Sequence, residues 1–446
     1  MASEPEQDVV IPEHKRKKRR GDTYKDLPVE IIEYTLDENE LECDVCGEEL
    51  HVMAKEIRKE LKVVPAQISV VEHVTYIYSC RNCERTGTEA TIRKAISPKA
   101  LISRSVVSPS MLAYLMNQKY VLALPLYRQE QEWKRLGVNL TRQNLSNWII
   151  KGANLLRPLE QALKAELLKN DILHADETTL EVLHEPGREA HSKSYMWLYA
   201  TPASADRAVV LYDYQVGRSG IFAQRYLKDW TGTYLCCDGY AGYHKIPDIQ
   251  LAGCYAHLRR YFHDAYKVGN CEQAKQCLDY LAKLFAYERQ ASEQELSYEE
   301  LLKIRNEKYP KILEEFYTYI EMLSLKTLPK SLLGKAIAYA QNQKEKFYVI
   351  LEDGRIELTN SRAERLIKMF VIGRKNFLFS NTPNGASSSA LIYGIIQSAI
   401  ANNLKAMNYL QYVFEELQRN PEIDPTLLLP WSENIPRYCK NTKADS

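Results

Sequence analysis

Apolar residues recur at helical spacing soon after position 108. Met111, Leu112, Leu115 and Met116 fall on one face, as a period of about 3.6 residues requires. Ser108-Pro109 ahead of them reads as an N-cap followed by proline at the first helical position. A second helix is predicted from Pro125 to Leu136, stopping at Gly137. Thr141 then caps a third, with Leu145, Trp148 and Ile149 as its apolar face. Two helices joined by a short glycine-containing turn suggest a helix-turn-helix. Its second helix would hold Arg142, Gln143, Asn144 and Asn147 on the open face, within reach of base edges and phosphates. The same pattern describes helix pairs in bundles that bind nothing.

From Asp171 the pattern changes to strands. Ile172 to Leu183, Ser194 to Ala200 and Ala208 to Tyr212 predict a meander. A helix near Ile221 to Trp230 follows, then strands at Thr233 to Cys237 and Ile249 to Tyr255. This mixed order predicts an α/β core covered on both faces. Between about Ala265 and Lys346 long charged amphipathic helices replace the strands, including Gln273 to Glu293 and Tyr298 to Leu325, which reads as a helical insertion. A helix from about Ser361 to Phe370 comes next. The segment Gly373-Arg374-Lys375-Asn376-Phe377-Leu378-Phe379-Ser380 then offers Arg374, Lys375 and Asn376 for phosphate contact. Phe377 and Phe379 are either base-stacking residues or core residues of a turn.

With 446 residues, 45% of them hydrophobic and 26% charged, the chain has globular composition and room for about two to four domains. Ala390 to Ala401 is the most apolar late stretch and is interrupted by Gln397 and Ser398. It is shorter than the roughly twenty residues of a membrane span, so a buried helix is expected. Met1 to Gln7 lacks the apolar segment of a secretory signal.

A net charge of +1 gives no global bias toward nucleic acid. Locally, Lys15, Arg16, Lys17, Lys18, Arg19 and Arg20 form an unbroken basic run. It reads either as a disordered arm that contacts phosphates by counterion release or as a solvated leader.

Ten cysteines without an export signal argue against a disulfide framework. Cys43-x-x-Cys46 and Cys80-x-x-Cys83, with 33 residues between the pairs, can supply the four thiolates of a structural zinc site. Two strand-like runs, Val63 to Val71 and His73 to Tyr78, lie between them. Cys236, Cys237, Cys254, Cys271, Cys277 and Cys439 show no ligand spacing and are expected in buried apolar roles.

Three acidic blocks carry the candidate chemistry: His174-Ala-Asp-Glu-Thr178, Cys237-Asp-Gly-Tyr-Ala-Gly-Tyr243 and Asn360-Ser-Arg-Ala-Glu-Arg365. Asp176 lies within the first predicted strand, Asp238 ends the fourth, and Glu364 sits on the later helix. Ligands of open sheets gather at strand ends. Three carboxylates brought together suit a pair of magnesium ions that clamp an in-line phosphoryl displacement, which points to cutting or joining nucleic acid. Glu177, Asp171 and Asp264 are the competing carboxylates. His257 and Arg260, three apart on one helix face, would either touch the scissile phosphate or form a structural charge pair.

Taken in order, these blocks resemble the transposases of the insertion sequence 66 family. The cysteine pairs come first. Leu124-Pro-Leu-Tyr-Arg-Gln-Glu130, Gly137-Val138 and Trp148 follow, then the His174 and Asp238 blocks. Gly253-Cys-Tyr-Ala-His-Leu-Arg-Arg260, Ala363-Glu364-Arg365 and Gly373-Arg-Lys-Asn376 complete the series. The family's usual Asp-Asn-Asn appears here as Thr359-Asn360-Ser361, and its Arg-Pro as Lys368-Met369.

The resemblance implies a ribonuclease H-like mixed-sheet core and a catalytic triad Asp176, Asp238 and Glu364, holding two magnesium ions or manganese in their place. It further implies one structural zinc and two rounds of phosphoryl transfer, first to water and then to a freed 3′-hydroxyl. The expected partners are double-stranded DNA at the element's terminal inverted repeats and at the target, a second copy of the chain, and accessory proteins of the element. No membrane is involved, and the setting is the bacterial cytoplasm and nucleoid.

The expected organisation is a basic arm at 1–24, a zinc ribbon-like region at 25–95 and a helix-turn-helix-like region at 96–165. A catalytic domain at 166–400 with insertion 265–346 and a C-terminal helix and tail at 401–446 complete it. The rival reading is a catalytically decayed zinc and helix-turn-helix protein that binds DNA and regulates transposition.

Overall fold

The structure is a computed structural model that describes residues 68–87, 89 and 92–441, with Ile31 and Lys55. The basic run at 15–20, Cys43 and Cys46 lie outside the described residues. By its internal contacts the chain divides into two units, Ile96–Asn441 being the larger.

In the smaller unit, β1 (Ile77–Ser79) and β2 (Ile92–Lys94) pair antiparallel, with Ile77 opposite Lys94. Helix α1 (Arg81–Thr86) lies between them in sequence, so that Cys80 directly follows a strand and Cys83 falls on the helix. The strand expected at His73 to Tyr78 is confined to this short ladder. Residues 68–76 have no regular structure, since β2 offers only three residues to pair with.

The larger unit opens with α2 (Pro109–Tyr120), α3 (Leu126–Arg135), α4 (Arg142–Leu155) and α5 (Arg157–Leu167). Ser108 Oγ accepts the Met111 N–H at 3.2 Å and Thr141 Oγ1 accepts that of Asn144 at 3.3 Å. Each hydroxyl thus satisfies one of the orphan donors of a first helical turn. Gly137 closes α3 at φ +79°, a conformation that costs glycine little.

Strands β3 (Ile172–Glu181), β4 (Lys193–Ala200) and β5 (Val210–Gln215) form the expected antiparallel meander. The chain then crosses through α6 (Gly220–Tyr226) and returns as β6 (Tyr234–Cys237), parallel to β3. β7 (Gln250–Gly253) adds in parallel outside it. The five strands stand in the order β5-β4-β3-β6-β7.

Alternation along the strands feeds two cores. Leu173, Leu235, Cys237 and Leu251 point into one core with α2, α4 and α5. Ile172, Cys236 and Ala252 point into the other. That second core is built with α7 (Tyr255–Lys267), α8 (Glu272–Glu293), α9 (Tyr298–Ser324), α10 (Leu332–Asn342) and α11 (Lys344–Tyr348). The helical insertion therefore covers one face of the sheet.

Three helices complete the unit: α12 (Ser361–Phe377), α13 (Pro383–Ala401) and α14 (Ala406–Arg419). Ala390 to Ala401 belongs to α13, which is buried through almost its whole middle. Among the described residues no helix is long and apolar enough to cross a membrane. Helix α12 runs to Phe377 rather than ending near Phe370. Gly373 does not break it, because that face packs tightly beneath Tyr393. Arg374, Lys375 and Asn376 accordingly form its last turn instead of a loop beyond it.

Candidate active site

The pairing of β3 with β6 sets the first two carboxylates. Ile172 stands beside Tyr234 and His174 beside Cys236. Asp176 and Asp238 each lie two residues beyond that last pair, and the charge of Asp238 acts on Asp176. The Asp176 carboxylate accepts the Glu177 N–H at 2.8 Å, and Asp238 accepts that of Tyr240 at 2.9 Å. At Gly239 a Cβ would come within 2.6 Å of the Tyr339 ring, so glycine is needed for α10 to pack beside Asp238. Tyr339 in turn stacks on Tyr261 of α7.

Glu364 enters from the first turn of α12. Asn360, just before that helix, is buried and makes three ties. Its Nδ2–H donates to the Ala175 carbonyl at 2.8 Å, its Oδ1 accepts from His174 Nδ1 at 2.8 Å, and its N–H donates to Cys254 Sγ at 3.1 Å. The start of α12 is thereby fastened to β3 and to the start of α7. His257 and Arg260 of α7 both reach Glu364, His257 Nδ1 lying 3.4 Å from Oε1 and Arg260 Nη2 3.4 Å from Oε2. Arg260 keeps 55% of its side chain exposed.

The competing carboxylates are engaged elsewhere. Glu177, only 1% exposed, takes Arg218 Nε at 2.7 Å and the Tyr243 hydroxyl at 2.5 Å. Asp171 accepts the Thr233 N–H and pairs with Arg355, each at 3.0 Å. Asp264 is an exposed residue of α7 beside His263.

Burial pushes the Asp176 carboxyl up to about 8, and the charges of Glu177, Asp238 and Glu364 push it the same way. Burial and neighbouring charge together outweigh the backbone hydrogen bond from Glu177. Lys346 of α11 is a nearby counter-charge: its buried Nζ lacks a hydrogen-bond partner, and burial lowers its pKa against the pull of Cys237 and Asp238. For His174, burial acts to lower the pKa, but Cys236 and Glu357 prevail and hold it at about 10. Its Nε2 faces Glu357 at 3.4 Å.

Asn360, Lys346, Arg218 and Tyr243 carry no spacing that marks them in the sequence, where Cys254 reads as an ordinary buried cysteine. The Cys254-x-x-His257 spacing was the available signal. Among the described residues, the group of ligand atoms lying within 4.8 Å of one another is Cys254, His257 and Glu364, rather than the three carboxylates.

Arg142, Gln143, Asn144 and Asn147 are exposed on α4, as are Lys375 and Asn376 on α12. Arg374 is instead tied to β3, donating to Thr178 Oγ1 at 3.2 Å and Thr179 Oγ1 at 3.0 Å. Phe377 packs edge-on against Phe370, while Phe379 is exposed.

The fold and this site define a mixed α/β protein with acidic side chains in the middle of β3, just after β6 and in the first turn of α12. The model of the Transposase IS66 family matches residues 104–388, and that of the zinc-finger binding domain of transposase IS66 matches residues 40–84, which include all four paired cysteines. The chain belongs to the IS66 family of transposases. It is 28% identical over 410 residues to the uncharacterized protein y4qI of Sinorhizobium fredii (strain NBRC 101917 / NGR234), covering 89% of this chain and 74% of that protein. The uncharacterized protein y4jD of the same strain is 27% identical, with 87% and 78% covered.

Proposed function

We propose that this chain is a magnesium-dependent DNA transposase with a ribonuclease H-like core, in which Asp176, Asp238 and Glu364 form an Asp-Asp-Glu triad. The observation that supports this reading is the parallel β3–β6 register, whose last pair, His174 and Cys236, precedes Asp176 and Asp238 by two residues each, with the start of α12 tied to β3 through Asn360. A three-strand antiparallel meander extended by two parallel strands on the far side of its first strand supports the core assignment.

The residues fit a divalent metal site. Asp176 is held above the usual carboxylate range by burial first and by the neighbouring charges of Glu177, Asp238 and Glu364, and Glu364 Oε1 is buried without a hydrogen-bond partner. The donors are carboxylate oxygens, which suit magnesium and also manganese. When bound, such ions stabilise the attacking and leaving oxygens of an in-line displacement at phosphorus.

The chain's own residues supply the rest. Arg260, mostly exposed beside Glu364, is placed to hold a scissile phosphate, and His257 to orient the water that attacks it. Lys375 and Asn376 extend a polar surface along α12. Arg142, Gln143, Asn144 and Asn147 present the face of α4 to the element's terminal repeats, with the basic run at 15–20 adding phosphate contacts. Cys43, Cys46, Cys80 and Cys83 hold one structural zinc. A second copy of the chain and accessory proteins would join the complex on the DNA, in the cytoplasm.

The test is nicking of the terminal repeats by the purified chain with magnesium. Asp238→Ala is expected to abolish nicking while leaving DNA binding intact. Equal nicking by that variant would remove Asp238 from the triad. Binding with no cleavage by the unaltered chain would favour a regulator.

A further inference from the structure

Cys254, His257 and Glu364 meet where two helices begin. Cys254 is the N-cap residue of α7 and His257 lies in its first turn, while Glu364 lies in the first turn of α12. The Asn360 N–H donates to Cys254 Sγ at 3.1 Å and holds the two helix starts together. One ligand atom from each of the three side chains lies within 4.8 Å of the others.

The polar atoms at the centre of this group are unsatisfied. His257 Nδ1 and Glu364 Oε1 are both buried and neither makes a hydrogen bond. They face each other at 3.4 Å, too long for a normal N–H to O contact. Two ligands around a tetrahedral zinc, with Zn–N and Zn–O bonds of roughly 2.0–2.2 Å, stand about 3.4 Å apart. The spacing is therefore that of two atoms sharing a small ion. From within 4.8 Å, the Cys254 thiol needs to approach by no more than about 1.2 Å to give the roughly 3.6 Å separation of sulfur and nitrogen around the same ion.

We infer that Cys254, His257 and Glu364 form a site for one zinc ion, separate from the four-cysteine site and sharing Glu364 with the proposed magnesium centre. Thiolate, imidazole and carboxylate together favour zinc over magnesium, which takes hard oxygen ligands. Three protein ligands leave a fourth position for water. Zinc here engages Glu364 and His257, so it competes with magnesium-supported cleavage. The inhibitory consequence rests on the function proposed above; the binding itself does not.

The test uses the full chain, dialysed against buffered free zinc and then assayed for bound zinc. Cys254→Ser is expected to bind one zinc fewer per chain than the unaltered protein. His257→Gln, altered at a partly exposed side chain, should show the same loss and guards against misfolding of the cysteine variant. Cobalt added to the zinc-depleted protein should give a thiolate charge-transfer band that is diminished, but not abolished, in Cys254→Ser. Nicking with magnesium should fall at least tenfold as free zinc rises, and Cys254→Ser should resist that fall. Equal zinc content in all three proteins would overturn the site. Zinc lost from both variants with inhibition unchanged would overturn the competition. If the chain nicks no DNA at all, the difference in zinc content still decides the site.

Discussion

Asn360 donates its side-chain amide to the Ala175 carbonyl at 2.8 Å, joining the start of α12 to the residue just before Asp176. This bond and the one to His174 span more than 180 residues of sequence. They place Glu364, one helical turn further on, against the strand that holds the first carboxylate. Asn360→Ala strands the Ala175 carbonyl and His174 Nδ1 in a buried setting, at a cost of about 1–3 kcal/mol for each unsatisfied group. Denaturant unfolding should show that loss, with nicking lost in the same variant. A variant as stable as the parent would mean that the link is dispensable.

Glu177 and Asp176 are adjacent acidic residues with different surroundings. Glu177 is held by Arg218 and Tyr243, whereas Asp176 accepts a backbone N–H and faces other carboxylates. Glu177→Gln is expected to retain measurable nicking and to lose on the order of 1 kcal/mol of stability, the Arg218 side being screened by solvent. Asp176→Asn should eliminate nicking with little loss of stability. The reverse outcome would exchange their roles.

The pKa of Asp176 stands at about 8, above its ordinary 3.8. Unfolding therefore releases a proton that the folded state retains over the interval between those values. The stability contributed by that proton is whole below about pH 3.8 and is lost as pH rises to about 8. A divalent cation binds the ionised form, so its affinity should increase across the upper part of the same window. The rise in Tm on adding magnesium should be larger at about pH 8.5 than at about pH 6.5, and Asp176→Asn should flatten the difference. An equal rise at both pH values would remove Asp176 from the metal site.

Arg305 of α9 is 1% exposed and pairs with both oxygens of Glu288 of α8, at 2.8 and 2.9 Å. It also donates to the carbonyls of Ile350, Asp353 and Gly354 on the segment that leads to α12. Arg305→Leu leaves Glu288 uncompensated and should cost about 3–5 kcal/mol, the range for breaking a buried pair. Calorimetry checks the loss. Glu288→Gln, which keeps hydrogen-bonding atoms in place, should cost less.

The strands and long helices were legible because each carries its own periodicity. Strand-like apolar runs marked β3, β4, β6 and β7, and the charged amphipathic stretches marked α8 and α9 to within a residue or two. The end of α12 was not legible. Gly373 looks like a stop, and only its packing beneath Tyr393, twenty residues later, shows why the helix continues. Arg374 likewise looks like a free phosphate ligand until β3 is seen to take up its guanidinium.

By itself the sequence determined the elements, their order and the three acidic blocks, because local periodicity and short motifs are properties of neighbouring residues. Which carboxylates stand free was decided only by tertiary structure. Glu177 and Asp176 are adjacent in the chain, yet the partners that engage Glu177 alone, Arg218 and Tyr243, come from distant segments. The meeting of Cys254 and His257 with Glu364 has the same origin. Two helix starts about a hundred residues apart are joined through the buried Asn360 N–H and the Cys254 sulfur, a contact that arises only when both helices pack on the sheet.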